Sequence, residues 1–327
     1  MKALVTGVSG FIGSVLVKEL IARGHKVRAL AFPQEQAYDL VKMGAEIVRG
    51  DLTRPESLRG ICDGVDTVFH LAARVTDWGT KKQFYDAIYG ATESLLKEAE
   101  GKASRFVYVS SIAALGMGRH LRGVKETDPP RKSGVYYNDA KADAEALVRR
   151  YHDGGTIACT IVRPANVTGP GSVWVRDIID QMKKMPVPLF DGGRHPTSFV
   201  YVDSLADGII RAGTMDIARG KAYHFRDDWT ATWKEYITAL GSFIGRKPCG
   251  RIPFRLAWSL GFVMEKILNP LQVRAPLTRL NAGVLGRNND VDTTLARTEL
   301  GWRTTHSYEE AMEAIGRWVK DTYGGRP

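Results

Sequence analysis

A glycine-rich turn directly follows the first predicted strand and opens the first predicted helix. Residues 6–13 read TGVSGFIG, which places glycines at positions 7, 10 and 13. In this spacing Gly7 permits a tight turn, Gly10 lets the backbone approach a pyrophosphate, and Gly13 lets the helix pack against the strand. Glycine is also common in turns that have a structural role alone. The position of this glycine turn, between a strand and an amphipathic helix, favours a phosphate site at the helix N-terminus. The sequence therefore predicts a dinucleotide-binding βα unit here.

Short apolar runs alternate with helical segments through the first 165 residues. The runs cover residues 3–5, 27–30, 46–48, 67–70, 106–109 and 157–162, and helical spacing covers stretches such as 11–22 and 84–99. Apolar strands with little polar alternation, joined by helices, indicate a parallel sheet that is covered on both faces. The right-handed crossover rule then favours a doubly wound sheet of Rossmann type, so the predicted fold class is α/β.

The pattern changes after Pro164. Turn residues interrupt it, the stretch 199–202 is predicted to return to the main sheet ahead of a helix from Leu205, and the chain is mostly helical from Trp229 onward. We therefore predict a dinucleotide-binding Rossmann domain that comprises residues 1–165, with 198–225 returning to it. A smaller, mostly helical substrate-binding domain then comprises 166–197 and 226–327, and the cleft between the domains is the expected ligand site.

A tyrosine and a lysine stand four residues apart at the start of another predicted helix. Tyr137 and Lys141 therefore share one helix face. A phenol with a pKa near 10 is a poor base at neutral pH, but a nearby ammonium and a positive nicotinamide ring would lower that pKa. Tyr137 could then exchange a proton with a substrate hydroxyl or carbonyl. The hydroxyl of Ser110 or Ser111, at the end of strand 106–109, could hydrogen-bond to the reacting oxygen.

Two further strand ends fit the predicted cofactor site. Asp51 follows the strand 46–49 and suits an acceptor for the adenine amino group, although a cap for the helix that starts at Pro55 explains it equally well. The stretch 70–73 ends the next strand in small residues, which would let a ribose lie close to the backbone. A well-packed strand end is the alternative interpretation.

The end of the second strand normally distinguishes the two nicotinamide cofactors. An acidic residue there holds the ribose 2′-hydroxyl, and an arginine favours a 2′-phosphate. Ala31 is followed by neither, and Glu35 is too far along the chain to be the expected acid. Both NAD and NADP remain candidates, with a lean to NAD because a phosphate needs a cation more than a hydroxyl needs an acid.

In this order, the glycine turn, the serine pair and the Tyr-Lys pair resemble the extended short-chain dehydrogenase/reductase superfamily over nearly the whole chain. The resemblance implies a Ser/Tyr/Lys triad, in which Ser111 is the better serine because it stands five residues before Gly116. The motif 163–171 resembles the family's junction between cofactor and substrate. The implied cofactor contacts are Gly7, Ser9, Gly10, Phe11, Ile12, Gly13, Ala31, Asp51, Leu52, Leu71, Ala72, Ala73, Tyr137, Lys141, Pro164, Asn166 and Val167. No metal site is implied.

Two positions depart from patterns that are common in this superfamily. Nucleotide-sugar epimerases and dehydratases usually carry a diphosphate-binding arginine where this chain has Thr197, although Arg194 or Arg176 could compensate. An asparagine that usually assists the proton relay is replaced by Ile88. The segments 77–79 and 276–279, by contrast, resemble the 3β-hydroxysteroid dehydrogenase-like branch, which includes reductases of long-chain β-keto compounds.

Three functions follow from these features. The first is an NAD(P)-dependent oxidoreductase that interconverts a secondary alcohol and a ketone on an apolar small molecule, either sterol-like or a β-keto/β-hydroxy compound. The second is a nucleotide-sugar epimerase or dehydratase, against which Thr197 weighs. The third is a non-catalytic dinucleotide-sensing protein, which the intact triad disfavours.

Charge and apolar residues concentrate in one C-terminal stretch. Eight basic residues and one acidic residue, Glu265, give residues 246–287 a net charge of +7 out of +10 for the chain. Without a nucleic-acid-binding signature, no nucleic-acid partner is expected. The helix predicted within 252–268 could line a lipid-like pocket, contact a membrane surface peripherally, or simply cover the core.

The remaining composition bears on compartment and assembly. Cys62, Cys159 and Cys249 are odd in number and far apart, so a disulfide framework or a CxxC metal site is not expected, and a reducing, cytoplasmic location is. No apolar run reaches the length of a transmembrane helix, and no secretion signal is recognised. The family resemblance also implies a homodimer that forms through the helices beside the catalytic tyrosine.

Overall fold

The computed structural model describes residues 1–324. Its strands are β1 (Lys2–Thr6), β2 (Lys26–Ala31), β3 (Glu46–Arg49), β4 (Thr67–His70), β5 (Arg105–Val109), β6 (Leu121–Val124), β7 (Ala158–Pro164), β8 (Asn166–Thr168), β9 (Leu189–Phe190), β10 (Phe199–Tyr201), β11 (Ala222–Phe225), β12 (Arg251–Ile252) and β13 (Asn289–Val291). Its α-helices are α1 (Phe11–Ala22), α2 (Tyr38–Lys42), α3 (Lys81–Tyr85), α4 (Ala91–Ala99), α5 (Tyr136–Asp153), α6 (Val173–Lys184), α7 (Val202–Thr214), α8 (Trp233–Ser242), α9 (Phe254–Leu268), α10 (Arg279–Leu285), α11 (Thr294–Glu299) and α12 (Tyr308–Tyr323).

Seven parallel strands form the central sheet, in the order β11-β7-β5-β4-β1-β2-β3. Successive residues of β1 face opposite sides, and residues 3–6 are all buried. Val5 packs with α1 and α7, while Leu4 packs with α4 and α5. Strands that are buried on both faces carry no polar alternation, which is the pattern read in the sequence. The predicted doubly wound α/β fold is therefore confirmed.

The stretch 199–202 does not join the main sheet, so that prediction was wrong. β10 instead pairs with β8 in a separate two-stranded sheet, and α7 begins at Val202 rather than Leu205. The outer edge of β7 is already taken by β11, whose Ala222 lies opposite Ile161. The chain does return to the central sheet, but through α7 and β11. The division into two domains stays a prediction.

The helix predicted over residues 84–99 is interrupted. α3 ends at Tyr85, a π-helical turn covers Asp86–Gly90, and α4 follows from Ala91. π-Helical turns inside helices are rare and often accompany functional sites. Ile88, which stands where the family usually has asparagine, lies in this turn and is buried.

A third apolar cluster lies beyond the carboxyl edge of the sheet. It joins α6, α8 and α12 around β10, with Trp233 and Phe199 packed edge to face at 5.3 Å between ring centroids. None of the helices in residues 1–324 combines the length and the apolarity needed to cross a membrane.

Candidate active site

The glycine turn closes onto the end of β4 with little space to spare. Gly7 has a φ of +72°, and a β-carbon there would lie 2.8 Å from the backbone nitrogen of Ala72. A β-carbon on Gly13 would lie 2.0 Å from the Gly7 carbonyl oxygen. α1 starts at Phe11, and no side chain caps its first turn at Gly10. The uncapped N–H groups of that turn are therefore free for a phosphate, so the residues present fit the pyrophosphate of a dinucleotide.

The Gly13→Ala variant tests this turn. The added methyl group forces the Gly7 carbonyl away from α1, so the Kd for the reduced nicotinamide cofactor should rise at least about tenfold. A fluorescence titration measures it. Gly90→Ala is the matched control, because a β-carbon there meets nothing closer than 3.7 Å. Equal affinities for the two variants would show that the turn does not hold the cofactor.

A buried hydroxyl–imidazole chain orders the neighbouring strand ends. The Thr6 hydroxyl lies 2.8 Å from Nδ1 of His70 and accepts from the backbone N–H groups of Leu71 and Ala72 at 3.2 Å. Nε2 of His70 lies 3.1 Å from the Thr92 hydroxyl. Burial, together with the nearby Lys141, lowers the pKa of His70 to about 3, so its ring is neutral. Sequence reasoning missed this chain of hydrogen bonds, whose only local signal is a polar residue at the end of each strand.

Asp51 is engaged within its own loop. Its Oδ1 accepts from the backbone N–H of Thr53 at 2.9 Å and from the Thr53 hydroxyl at 2.7 Å. Asp51 thus stabilises its own turn. The alternative that it caps the helical turn starting at Pro55 is wrong, because Arg54 occupies the N-cap position and no side chain caps that turn. Leu52 beside it is buried. The contact between Asp51 and an adenine stays a prediction.

Both an acid and a cation lie at the end of β2. A carboxylate oxygen of Glu35 accepts from the Phe32 backbone N–H at 3.0 Å, so the expectation that Glu35 is too distant was wrong: the chain turns back after Pro33. Arg49, at the end of β3, donates to the Phe32 carbonyl at 2.8 Å and also to the Glu35 carbonyl. Sequence reasoning missed Arg49 because it considered only residues that follow β2. The feature that could have revealed Arg49 is the pairing of β2 with β3, which sets Arg49 beside Ala31.

Tyr137, the predicted catalytic tyrosine, lies in the first turn of α5. Its ring packs edge-on against Phe84, with centroids 6.4 Å apart. Ser111 precedes the short helical turn 112–115, and its hydroxyl accepts from the Ala113 backbone N–H at 3.1 Å. Burial raises the pKa of Tyr137 to about 12, and a hydrogen bond with Ser111 acts in the opposite direction. The neighbouring Ser110 is more deeply buried, with a hydroxyl that has no partner within residues 1–324.

Lys141 is held by strand β5. Its ammonium donates to the Val109 carbonyl at 2.8 Å and lies 4.8 Å from the centre of the Tyr108 ring. Burial lowers the pKa of Lys141 to about 7, and Glu145 opposes that shift. In this arrangement the Lys141 ammonium is directed to a backbone carbonyl, and burial of the phenol dominates the pKa of Tyr137. The lowering of that pKa by Lys141 together with a bound nicotinamide ring stays a prediction. The shared helix face was predicted correctly.

A narrow cleft opens beside Tyr137. The loop 77–79 forms one wall, and Glu265 and Asn269 at the end of α9 form another. Asp77 joins this loop to the residues that follow α9, because it accepts from Arg274 at 2.9 Å and from Asn281 at 2.8 Å. The cleft holds about 10 Å³, the room for one water molecule. The cleft as it stands therefore has no room for a molecule much larger than water.

Comparison with models of protein families shows to which family this chain belongs. A model of the NAD-dependent epimerase/dehydratase family matches residues 3–224. The chain belongs to this family. The resemblance to extended short-chain dehydrogenases/reductases is thereby confirmed, and this epimerase/dehydratase-family protein is an enzyme of the extended short-chain dehydrogenase/reductase type.

Curated relatives match this family member along nearly its full length. The 4-hydroxy-2-methyl-3-oxo-4-farnesyl-3,4-dihydroquinoline-1-oxide ketoreductase of Stigmatella aurantiaca is 32% identical, over 96% of each chain. The 3β-hydroxysteroid dehydrogenase/Δ5→4-isomerase of Mycobacterium tuberculosis is 31% identical, over 95% of this chain and 88% of its own. Among solved structures, the UDP-glucose 4-epimerase of Thermotoga maritima superposes with a TM-score of 0.78 at 21% identity, covering 98% of this chain and 99% of its own, which supports the fold.

The position that binds diphosphate in nucleotide-sugar enzymes of the family is uncharged and enclosed. Thr197 is fully buried, and its carbonyl accepts from the Asn166 side chain at 2.6 Å. Arg194, which could have compensated, is largely exposed and lies 3.9 Å from Asp191, while Arg176 is on the exposed side of α6. The structure brings neither arginine to Thr197 through a hydrogen bond or an ion pair. Diphosphate binding therefore lacks its usual cation.

The remaining predicted cofactor residues lie at carboxyl ends of strands or at the start of α1. Pro164 ends β7 and is buried, Asn166 and Val167 open β8, and Ala73 follows β4. Ser9 is exposed in the glycine turn, whereas Phe11 and Ile12 are half-buried in the first turn of α1. Their contacts with a cofactor remain predictions.

Proposed function

We propose that this protein is an NAD(P)-dependent oxidoreductase that interconverts a secondary alcohol and a ketone on an apolar substrate. The observation that carries the proposal is the position of Tyr137, one helical turn from Lys141 and beside the Ser111 hydroxyl that acts to lower the pKa of its phenol, at the carboxyl edge of a Rossmann sheet. Relatives that are 28% and 32% identical are named as a 2-alkyl-3-oxoalkanoate reductase and a ketoreductase. Their names support a ketone as the substrate.

The triad has complementary roles in ketone reduction. Tyr137 donates its phenolic proton to the carbonyl oxygen, and its raised pKa keeps the phenol protonated, which is the form that reduction requires. Ser111 donates a hydrogen bond to the same oxygen as negative charge develops there. Lys141 holds the ribose hydroxyls of the cofactor and, as an ammonium, favours the phenolate that forms. A nicotinamide cofactor bound at the glycine turn would supply the hydride.

NAD is the cofactor we propose, because the Glu35 carboxylate lies at the end of β2, where a ribose 2′-hydroxyl needs an acceptor. Arg49 lies at the same place and is the residue on which NADPH binding would depend. The Kd values for NADH and NADPH should favour NADH. If NADPH binds more tightly and Arg49→Ala abolishes that difference, NADP is the cofactor instead.

A substrate screen tests the reaction. Hydroxysteroids, β-keto acids and UDP- or dTDP-sugars are incubated with each cofactor, and absorbance of the reduced nicotinamide is followed. Turnover is expected for an apolar ketone or alcohol and not for a nucleotide sugar, since Thr197 provides no charge for a diphosphate. Conversion of a nucleotide sugar, detected by chromatography, would instead establish the epimerase or dehydratase alternative.

We further propose a homodimer that forms through α4 and α5, and a cytoplasmic location. The homodimer rests on the family resemblance. The cytoplasmic location rests on three cysteines that form no disulfide. Sedimentation equilibrium of the purified protein tests the first, and a monomer at all concentrations would contradict it. Fractionation of expressing cells tests the second.

A further inference from the structure

α9 carries an apolar stripe on its solvent side. Leu256, Leu260, Val263 and Ile267 follow one another at helical spacing, and their exposed fractions are 52%, 41%, 51% and 59%. The stripe continues past the helix into Leu271, which is 66% exposed. Large apolar side chains in a contiguous exposed row mark an interaction surface rather than ordinary surface composition.

The opposite side of α9 makes the core contact and leaves the stripe without an intramolecular partner. Ala257, Gly261 and Glu265 face inward. A β-carbon on Gly261 would lie 2.9 Å from the backbone of Thr278, so the helix is packed tightly against the segment that leads into α10. The view that this helix simply covers the core with its apolar stripe is therefore wrong. Phe254 and Ala257 belong to an apolar core cluster against which Trp258 also packs, and the stripe faces outward.

The charges around the stripe have one sign. Arg255 and Lys266 are exposed on α9 itself, and Arg251 is exposed just before it. The only acidic residue between 246 and 287 is Glu265, which is buried and bonded to Arg279 at 2.7 Å. The Lys266 ammonium also lies 5.3 Å from the centre of the exposed Phe262 ring. Within residues 246–287 the surface is thus apolar with a basic border and no exposed acid.

We propose that this surface of α9 docks onto a bilayer that contains anionic phospholipid. Apolar side chains at the acyl boundary and basic side chains at the headgroups are the two interactions that hold an amphipathic helix in the plane of a membrane. A second copy of the chain is a poorer partner, because a two-fold interface would place the basic border against itself.

The location of the surface gives it a role in the proposed reaction. α9 also lines the cleft beside Tyr137, through Glu265 and Asn269. A helix drawn toward the bilayer could widen that cleft on the side from which an apolar substrate, dissolved in the membrane, arrives. This role rests on the proposed function, whereas membrane binding itself can be measured without turnover.

Vesicle flotation tests the docking. The wild-type chain is expected to float with vesicles of phosphatidylcholine and phosphatidylglycerol in equal amounts and not with phosphatidylcholine alone. Ile267→Ser combined with Leu260→Ser should weaken binding at least about tenfold, through lost apolar burial. Arg255→Glu with Lys266→Glu should do the same by reversing two charges.

Matched controls separate this effect from misfolding. Ile217→Ser removes an exposed isoleucine elsewhere, and Arg317→Glu with Lys320→Glu reverses two exposed charges on α12. Both controls should bind vesicles like the wild type, and all variants should melt at the wild-type temperature. The proposal fails if the wild type does not bind anionic vesicles, or if the α9 variants bind as well as the controls. A dimer that Ile267→Ser dissociates would identify a second copy as the partner.

Discussion

Replacing Tyr137 with phenylalanine is expected to lower kcat by about a hundredfold to ten-thousandfold. The change removes only the hydroxyl that exchanges a proton with the substrate oxygen, while the ring keeps its edge-on contact with Phe84. Affinity for the cofactor should stay nearly unchanged. Steady-state kinetics with the best substrate of the screen measures the first effect, and a cofactor titration measures the second.

Two other variants make the Tyr137 result specific. Tyr38→Phe is the matched control, because Tyr38 is 71% exposed on α2 and does not line the cleft beside Tyr137. Its kcat should equal the wild-type value. Lys141→Ala should reduce both turnover and cofactor affinity, since the ammonium serves both. Wild-type turnover in Tyr137→Phe would refute the proposed chemistry.

Replacing Glu145 with alanine is expected to destabilise the fold by about 3–5 kcal/mol. Glu145 and Arg163 are both fully buried, and the Arg163 guanidinium donates to both carboxylate oxygens, at 2.7 Å from Nη2 and 3.0 Å from Nε. Removal of the carboxylate leaves a charged guanidinium in the interior without its counterion. Nη1 of Arg163 lies 3.3 Å from Nε2 of His224, whose pKa burial lowers to about 3. This ring is therefore neutral and supplies no negative charge in place of the carboxylate.

Urea unfolding measures the effect of Glu145→Ala. Glu313→Ala is the matched control: its side chain is 73% exposed and lies 3.8 Å from Arg317, so its loss should change stability little. Equal unfolding midpoints for the two variants would contradict the stabilising role of the buried pair.

Glu145 also raises the pKa of Lys141, so Glu145→Gln should lower that pKa and extend the neutral form of the lysine to lower pH.

The sequence predicts those parts of the fold that depend on local patterns. Apolar runs without polar alternation located the first six strands of the main sheet, because burial on both faces leaves a direct trace in composition. β10 has the same composition, yet it pairs with β8, since the edge beside β7 is occupied by β11. Such a choice between distant partners has no local signature.

In the candidate site, too, only the features that depend on neighbouring residues could be predicted from the sequence. The glycine turn and the spacing of Tyr137 and Lys141 could be read from neighbouring residues. Arg49 could not, because it reaches the end of β2 only through strand register. The direction of the Lys141 ammonium was equally hidden, since the Val109 carbonyl that accepts from it is 32 residues away.

The hydrogen bonds of Asp77 have a consequence for how the enzyme is made. They join this loop to Thr278 and Asn281, more than two hundred residues later. During synthesis on the ribosome, the Rossmann strands can assemble before those partners emerge. The nascent protein can therefore acquire its Rossmann sheet first, whereas the loop around Asp77 gains these partners only near the end of translation.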